Sequence, residues 1–218
     1  MPDSEQQPPF PKGGFRRQDE SPDEEFYRFP RFVTHIDEGA IAAVTQLYRE
    51  YFPEGGAVLD LMGSWVSHLP PEIEYRRVSG LGMNEEELKG NPRLDDYAVQ
   101  NLNTNPVLPY GEDEFGGCGI CVSVDYLTRP VEVLREVGRV LKPGAPIVIT
   151  FSNRCFPDKA VAAWLRTDDR GHVEIVERYL REAGNWEEIH ALDRSPRRMF
   201  GDPLYAVVAR AVERSAEP

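Results

Sequence analysis

Short apolar runs alternate along the chain with segments whose apolar residues recur every three or four positions, from residue 34 to residue 209. Short runs bounded by Gly, Pro or Asn predict buried strands, and the three-to-four spacing predicts amphipathic helices. The stretch AVLDLMGSWVSHL, residues 57–69, opens with the apolar triplet Ala57, Val58 and Leu59, reaches an acid at Asp60 and breaks at Gly63 and Ser64. An apolar run ending in an acid and a small-residue turn delivers backbone N–H groups to a ligand at the strand's C-terminal end. Upstream, Thr34 and Asp37 have the spacing of a capping box. Ile41, Val44, Tyr48, Tyr51 and Phe52 then form one helical stripe, which Pro53, Gly55 and Gly56 terminate. Downstream, strands are expected over 76–81, 97–102 and 115–125, with a short helix capped by Asn84 after the first of them. A helix opening at Thr128, with Pro130 in its first turn and Val131, Leu134, Val137 and Leu141 on its apolar face, leads through Lys142, Pro143 and Gly144 into a strand over 147–151. Val173, Val176, Leu180 and Ala183 mark a last helix closed by Gly184, and strands over 187–192 and 204–209 follow.

The first 30 residues lack this pattern. Pro2, Pro8, Pro9, Pro11, Gly13 and Gly14 sit among Gln, Asp and Glu with little apolar surface to bury. That composition predicts a flexible extension over 1–30 and one domain over 31–218. The exception is FYRFPRF, residues 26–32, where aromatic rings interleave with Arg28 and Arg31. Such a segment is expected to pack on the domain or to close over a pocket as a lid.

Charge and cysteine content narrow the function. A net charge of −12 argues against non-specific nucleic-acid binding, which needs surplus Lys and Arg to neutralise phosphates, and against a polybasic membrane patch. No apolar run approaches the ~20 residues of a membrane span, and no secretory leader is expected. Cys118, Cys121 and Cys155 are too few for a disulfide framework, so a reducing cytoplasm is the expected location. Cys118 and Cys121 have CxxC spacing, but residues three apart on a strand face opposite sides. Packing, rather than redox chemistry or a metal site, is therefore expected of them.

Residues 129–153, RPVEVLREVGRVLKPGAPIVITFSN, closely resemble the pattern DP-x-x-x-LREI-x-RVLKPGG-x-x-x-I-x-x-x-N of the class I S-adenosylmethionine (SAM) dependent methyltransferases. The resemblance extends over 36–212. It implies an α/β fold: a Rossmann-like, seven-stranded, mostly parallel sheet with helices on both faces and a C-terminal antiparallel hairpin. It also implies SAM as cofactor and methyl transfer to a small molecule, by a monomer or homodimer. On this resemblance Asp60, Leu61, Met62, Gly63 and Ser64 form the first cofactor motif, although Met62, Ser64 and Val66 stand where the family has three glycines. Gly82, Met83 and Asn84 occupy the place of the ribose-binding acid, so Asn84 or Glu85 is the substitute. Asn101, beside Leu102, replaces the Asp that reads the adenine amino group, and Ser123 and Val124 end the fourth strand at the same edge. Asp125, Tyr126 and His35 are the candidate general bases. Asn153, Arg154 and Trp164, with Phe156 and Lys159, are the candidate substrate contacts. The alternative function is a non-catalytic binding or scaffold protein, because loss of the glycines is what drift after loss of catalysis produces.

Overall fold

Strand alternation gives the sheet two buried faces, and the chain covers each with helices. The computed structural model describes residues 10–196 and 201–213. Seven strands, β1 (Ala57–Leu61), β2 (Arg77–Gly82), β3 (Asp96–Val99), β4 (Gly117–Cys121), β5 (Pro146–Phe151), β6 (Trp186–Asp193) and β7 (Tyr205–Ala211), lie in the order β3-β2-β1-β4-β5-β7-β6. The first five pair in parallel, and β7 runs antiparallel between β5 and β6. This is the Rossmann-like sheet with a C-terminal hairpin that the family resemblance implies. The strand order reverses between β1 and β4, and a crevice opens outside the carboxyl ends of strands at such a switch point.

Val58, Val78 and Val148 meet α2 (Glu38–Tyr51) through Ala40, Val44, Leu47 and Tyr48. Leu59, Leu61, Ile147 and Ile149 meet α4 (Pro130–Val140) and α6 (Asp169–Ala183) on the other face. Cys118 lies in the second cluster and Cys121 against the first, so the CxxC pair straddles the sheet, and all three cysteines are free. Gly184 ends α6 in the left-handed region at φ 80°, the conformation for which glycine carries no Cβ penalty. Among the described residues no helix is long and apolar enough to cross a membrane.

Several boundaries differ from the sequence reading. The cap of α2 is Asp37 rather than Thr34: its carboxylate accepts from Ala40 N at 2.8 Å and also from Asp202 N at 2.9 Å. Strand β3 stops at Val99, because Asn101 Oδ1 turns back to accept from Asn103 N. Strand β4 stops at Cys121, because Val122 takes φ 43° and a single 3-10 turn follows over Val124–Tyr126. Among the described residues no helix joins β1 to β2; residues 62–76 run as turns and loop, with His68 at φ 52°.

The largest departure is the leader. From Phe10 onward it is packed on the domain rather than solvated, and residues 1–9 lie outside the described residues. Phe10 and Phe15 meet edge-on and pack, tilted, against Tyr179 of α6, with ring centroids 5.3 and 6.0 Å away. Asp23, in the short helix α1 (Asp23–Phe26), is buried and pairs with Arg17 at 2.5 Å. The fully buried Lys159 ammonium reaches Asp19 at 3.0 Å, Asp23 at 3.4 Å and the Ser21 carbonyl at 2.7 Å. Asp19, Ser21 and Asp23, which look solvated in sequence, thus share a partner about 140 positions along the chain.

Candidate functional site

The site grows from the end of β1. Asp60 is buried, accepts from Ser67 Oγ at 2.6 Å, and lies against the loop that follows it. Asn91 Nδ2 donates to both Ser67 Oγ and the Ser64 carbonyl, which fixes that loop. Burial pushes the Asp60 carboxyl up to about 7. Met62 turns the chain at φ 58°, and Gly63 N donates to the Leu81 carbonyl at 2.9 Å. A Cβ on Gly63 would meet the Asp60 carboxylate at 2.8 Å, and one on Gly82 would run into the Gly63 carbonyl oxygen. The two glycines therefore let the loop after β1 rest directly on the end of β2.

Between this loop, the ends of β2 and β4 and the leader lies a cavity of about 320 Å³, the size of a small-molecule site. Of the sequence candidates it brings together His35, Asp60, Met62, Gly63, Ser64, Asn84, Asn101, Leu102, Ser123, Tyr126 and Arg154. It does not include Leu61 and Val124, whose side chains are in the core under α4 and α6. Asn153 is exposed and outside the lining. Trp164, in the one-turn helix α5 (Ala162–Leu165), is buried, stacked on His172 at 3.9 Å and packed on Phe151, so it supports the core rather than a substrate.

Polar groups at the mouth are bonded to the leader. Asn84 Oδ1 caps α3 (Glu85–Lys89) by accepting from Glu87 N, and its Nδ2 donates to the Tyr27 carbonyl at 2.9 Å. Asn101 Nδ2 donates to Glu24 Oε1 at 2.8 Å, and Asn103 Nδ2 donates to Asp23 Oδ2 and the Tyr126 carbonyl. Glu85 faces Tyr97 OH, away from the cavity. The carboxylate that does line it is Glu87, which accepts from Ser64 Oγ and from Arg31 N, each at 2.6 Å. The sequence reading passes over Glu87 as a residue of the cavity, although the Asn84 cap that it does identify fixes where α3, and with it this side chain, starts.

The inner wall is aromatic. Phe156 lies edge-on to Phe26 and His35 at 5.4 and 5.3 Å, and its N–H donates to Tyr126 Oη at 2.9 Å. Burial, then the neighbouring Asp125, pushes both Tyr126 and Tyr27 up, so both remain phenols. His35 stands at the rim, and partial desolvation lowers its pKa, leaving a neutral imidazole at pH 7. Ser123 Oγ is buried with no hydrogen-bond partner among the described residues.

Asp125 lies beneath this wall, outside the cavity lining, with Oδ2 unpartnered among the described residues. Burial pushes its carboxyl up to about 8, so at neutral pH it holds a proton and cannot serve as the base. Because the folded carboxyl keeps its proton where the unfolded one has lost it, folding takes up a proton between about pH 4 and pH 8. Asp125's contribution to stability is therefore present below that window and is lost as pH rises through it, with a slope approaching about 1.4 kcal/mol per pH unit. Asp125→Asn should flatten the difference in urea stability between pH 5 and pH 8. Parallel profiles for variant and wild type would show that Asp125 ionises normally.

No protein-family model and no curated protein matches the chain. Solved structures do match. The 4+2 cyclase SpnF covers 87% of this chain and 91% of its own, at 16% identity and TM-score 0.60. A SAM-dependent methyltransferase from Mesorhizobium loti covers 77% and 97%, at 16% identity and TM-score 0.54. Phosphoethanolamine N-methyltransferase 2 from Haemonchus contortus, in complex with SAM, covers 79% and 52%, at 12% identity and TM-score 0.57. At such identities the likeness shows the fold alone. It is the fold of the class I SAM-dependent methyltransferases, shared here with a cyclase.

Proposed function

We propose that the chain is a SAM-dependent methyltransferase acting on a small molecule, as a monomer or homodimer in a reducing cytoplasm, with cofactor and acceptor meeting in the cavity at the strand ends. The observation that carries this reading is Ser123: a buried hydroxyl two residues past the end of β4 that lines the cavity and has no partner among the described residues, a group that a polar ligand would satisfy. The residues fit the group. Glu87 supplies a carboxylate acceptor for ribose hydroxyls beyond the end of β2, where Gly82 leaves none. Asn101 offers an amide to adenine, and Met62 and Leu102 give apolar walls. When bound, SAM supplies an electrophilic methyl group.

The chain's own part is binding, alignment and proton handling. The leader and Phe156 exclude water, and alignment of acceptor and methyl donor supplies much of the rate. His35, neutral at pH 7, takes the proton from a protonated acceptor. Glu87→Gln should weaken binding of S-adenosylhomocysteine (SAH) roughly tenfold, because the ribose hydroxyls lose a charged acceptor. The fold should persist, since the amide oxygen can accept from Arg31 N while the Ser64 hydroxyl turns to accept from the amide N–H. Unchanged affinity in calorimetry would remove Glu87 from the site.

One observation favours a second reading, a binding or scaffold protein that uses no SAM. The Gly63 carbonyl fills the space beside Gly82 where the family's ribose-binding acid would project. Failure of wild-type chain to bind SAH at millimolar concentration would select that reading.

A further inference from the structure

The charged groups around the cavity are nearly all accounted for by protein partners. Arg17 pairs with Asp23 at 2.5 Å, and Arg154 with Asp202 at 2.7 Å. Glu87 accepts one bond on each oxygen, from Ser64 Oγ and the Arg31 backbone, which leaves each oxygen a second acceptor site but balances no nearby cation, and Asp60 is bonded to Ser67. The Arg31 guanidinium is the exception. Among the described residues it has no ion-pair partner, and its one hydrogen bond runs from Nη2 to the Phe26 carbonyl at 2.9 Å. It lies over the rings of Phe26 at 4.5 Å, Phe156 at 5.4 Å and Tyr27 at 5.7 Å. Stacking of this kind strips water from the faces of the guanidinium and holds its plane, while its remaining edge donors stay available.

We infer that the cavity takes an acceptor bearing a carboxylate on a flat apolar body, with the Arg31 guanidinium as the group that selects the carboxylate. A planar fork of N–H donors matches a carboxylate in bidentate geometry. The rings of Phe156, Tyr126 and His35 beside it offer faces and edges for a flat apolar body. Calling this ligand the acceptor rests on the methyl-transfer reading above; the selectivity for a carboxylate does not.

Benzoate and its neutral isostere benzamide are the probes, titrated into the full chain with and without SAH. Wild type should bind benzoate at least roughly tenfold more tightly than benzamide. Arg31→Gln should lower benzoate binding to the benzamide level and leave benzamide binding unchanged. Equal binding of the two probes by wild type, or no benzoate binding at millimolar concentration, would overturn the assignment. So would a parallel loss of both probes in Arg31→Gln, which would mean that Arg31 only seats the leader. SAH titrated into the same samples tests the other reading separately. A wild type that selects benzoate but ignores SAH removes methyl transfer and keeps the carboxylate site.

Discussion

Lys159→Met should destabilise the chain by about 3 kcal/mol and release the leader from the domain. Breaking a buried ion pair by removing one partner costs ~3–5 kcal/mol, because the other charge is left buried without compensation. Lys159 is fully buried, and its ammonium serves Asp23, Asp19 and the Ser21 carbonyl together. Arg17 still holds Asp23 in the variant, which places the expected loss at the low end of that range. The consequence reaches the site, because the same leader bonds Asn84 through Tyr27, Asn101 through Glu24 and Glu87 through the Arg31 backbone. Urea unfolding gives the stability, and hydrogen exchange over residues 10–31 gives the leader's order. A loss below about 1 kcal/mol, the range of an exposed pair, with unchanged leader protection would show that Lys159 is not the clamp.

Gly82→Ala should cost about 1–3 kcal/mol, the usual penalty for forcing an atom into a packed position, and should weaken SAH binding more than tenfold. The added methyl meets the Gly63 carbonyl oxygen, which is backbone and has no rotamer to swing away. Relief requires the loop after β1 to lift, and that loop carries Met62, Gly63 and Ser64 into the cavity. Stability and affinity should therefore fall together. Wild-type affinity in a folded Gly82→Ala protein would show that the β1 loop is not part of the ligand site.

How much of this was legible in the sequence follows from how local each cause is. Strand β1, the α4 to β5 unit with its Lys-Pro-Gly exit and the Gly184 end of α6 rest on neighbouring residues, and periodicity found them. The Asn84 cap was equally local. The leader was misread because its partners are distant: Lys159 lies about 140 positions from Asp19, and Phe10 is covered by Tyr179. The ends of β3 and β4 were overextended because backbone turns at Asn101 and Val122 stop them, not a change in hydrophobicity. Among the residues that line the cavity, Asp60 is picked out by the apolar run that it closes, and Asn101 and Ser123 by the family resemblance. Glu87 was passed over for Glu85 because only the direction of the first turn of α3 separates them. In sequence Trp164 is open to either a substrate contact or plain packing, and α6 settles it as core by bringing His172 against it.

The most direct test of a ligand site at the strand ends is hydrogen exchange of the full chain with and without saturating SAH. Exchange should slow over residues 61–64, 82–87, 100–102 and 122–124, the segments that meet at the cavity, and over the leader that covers it. SAH that leaves these four segments unchanged, or that protects only residues remote from them, would contradict the assignment of the cavity as the place where the cofactor binds.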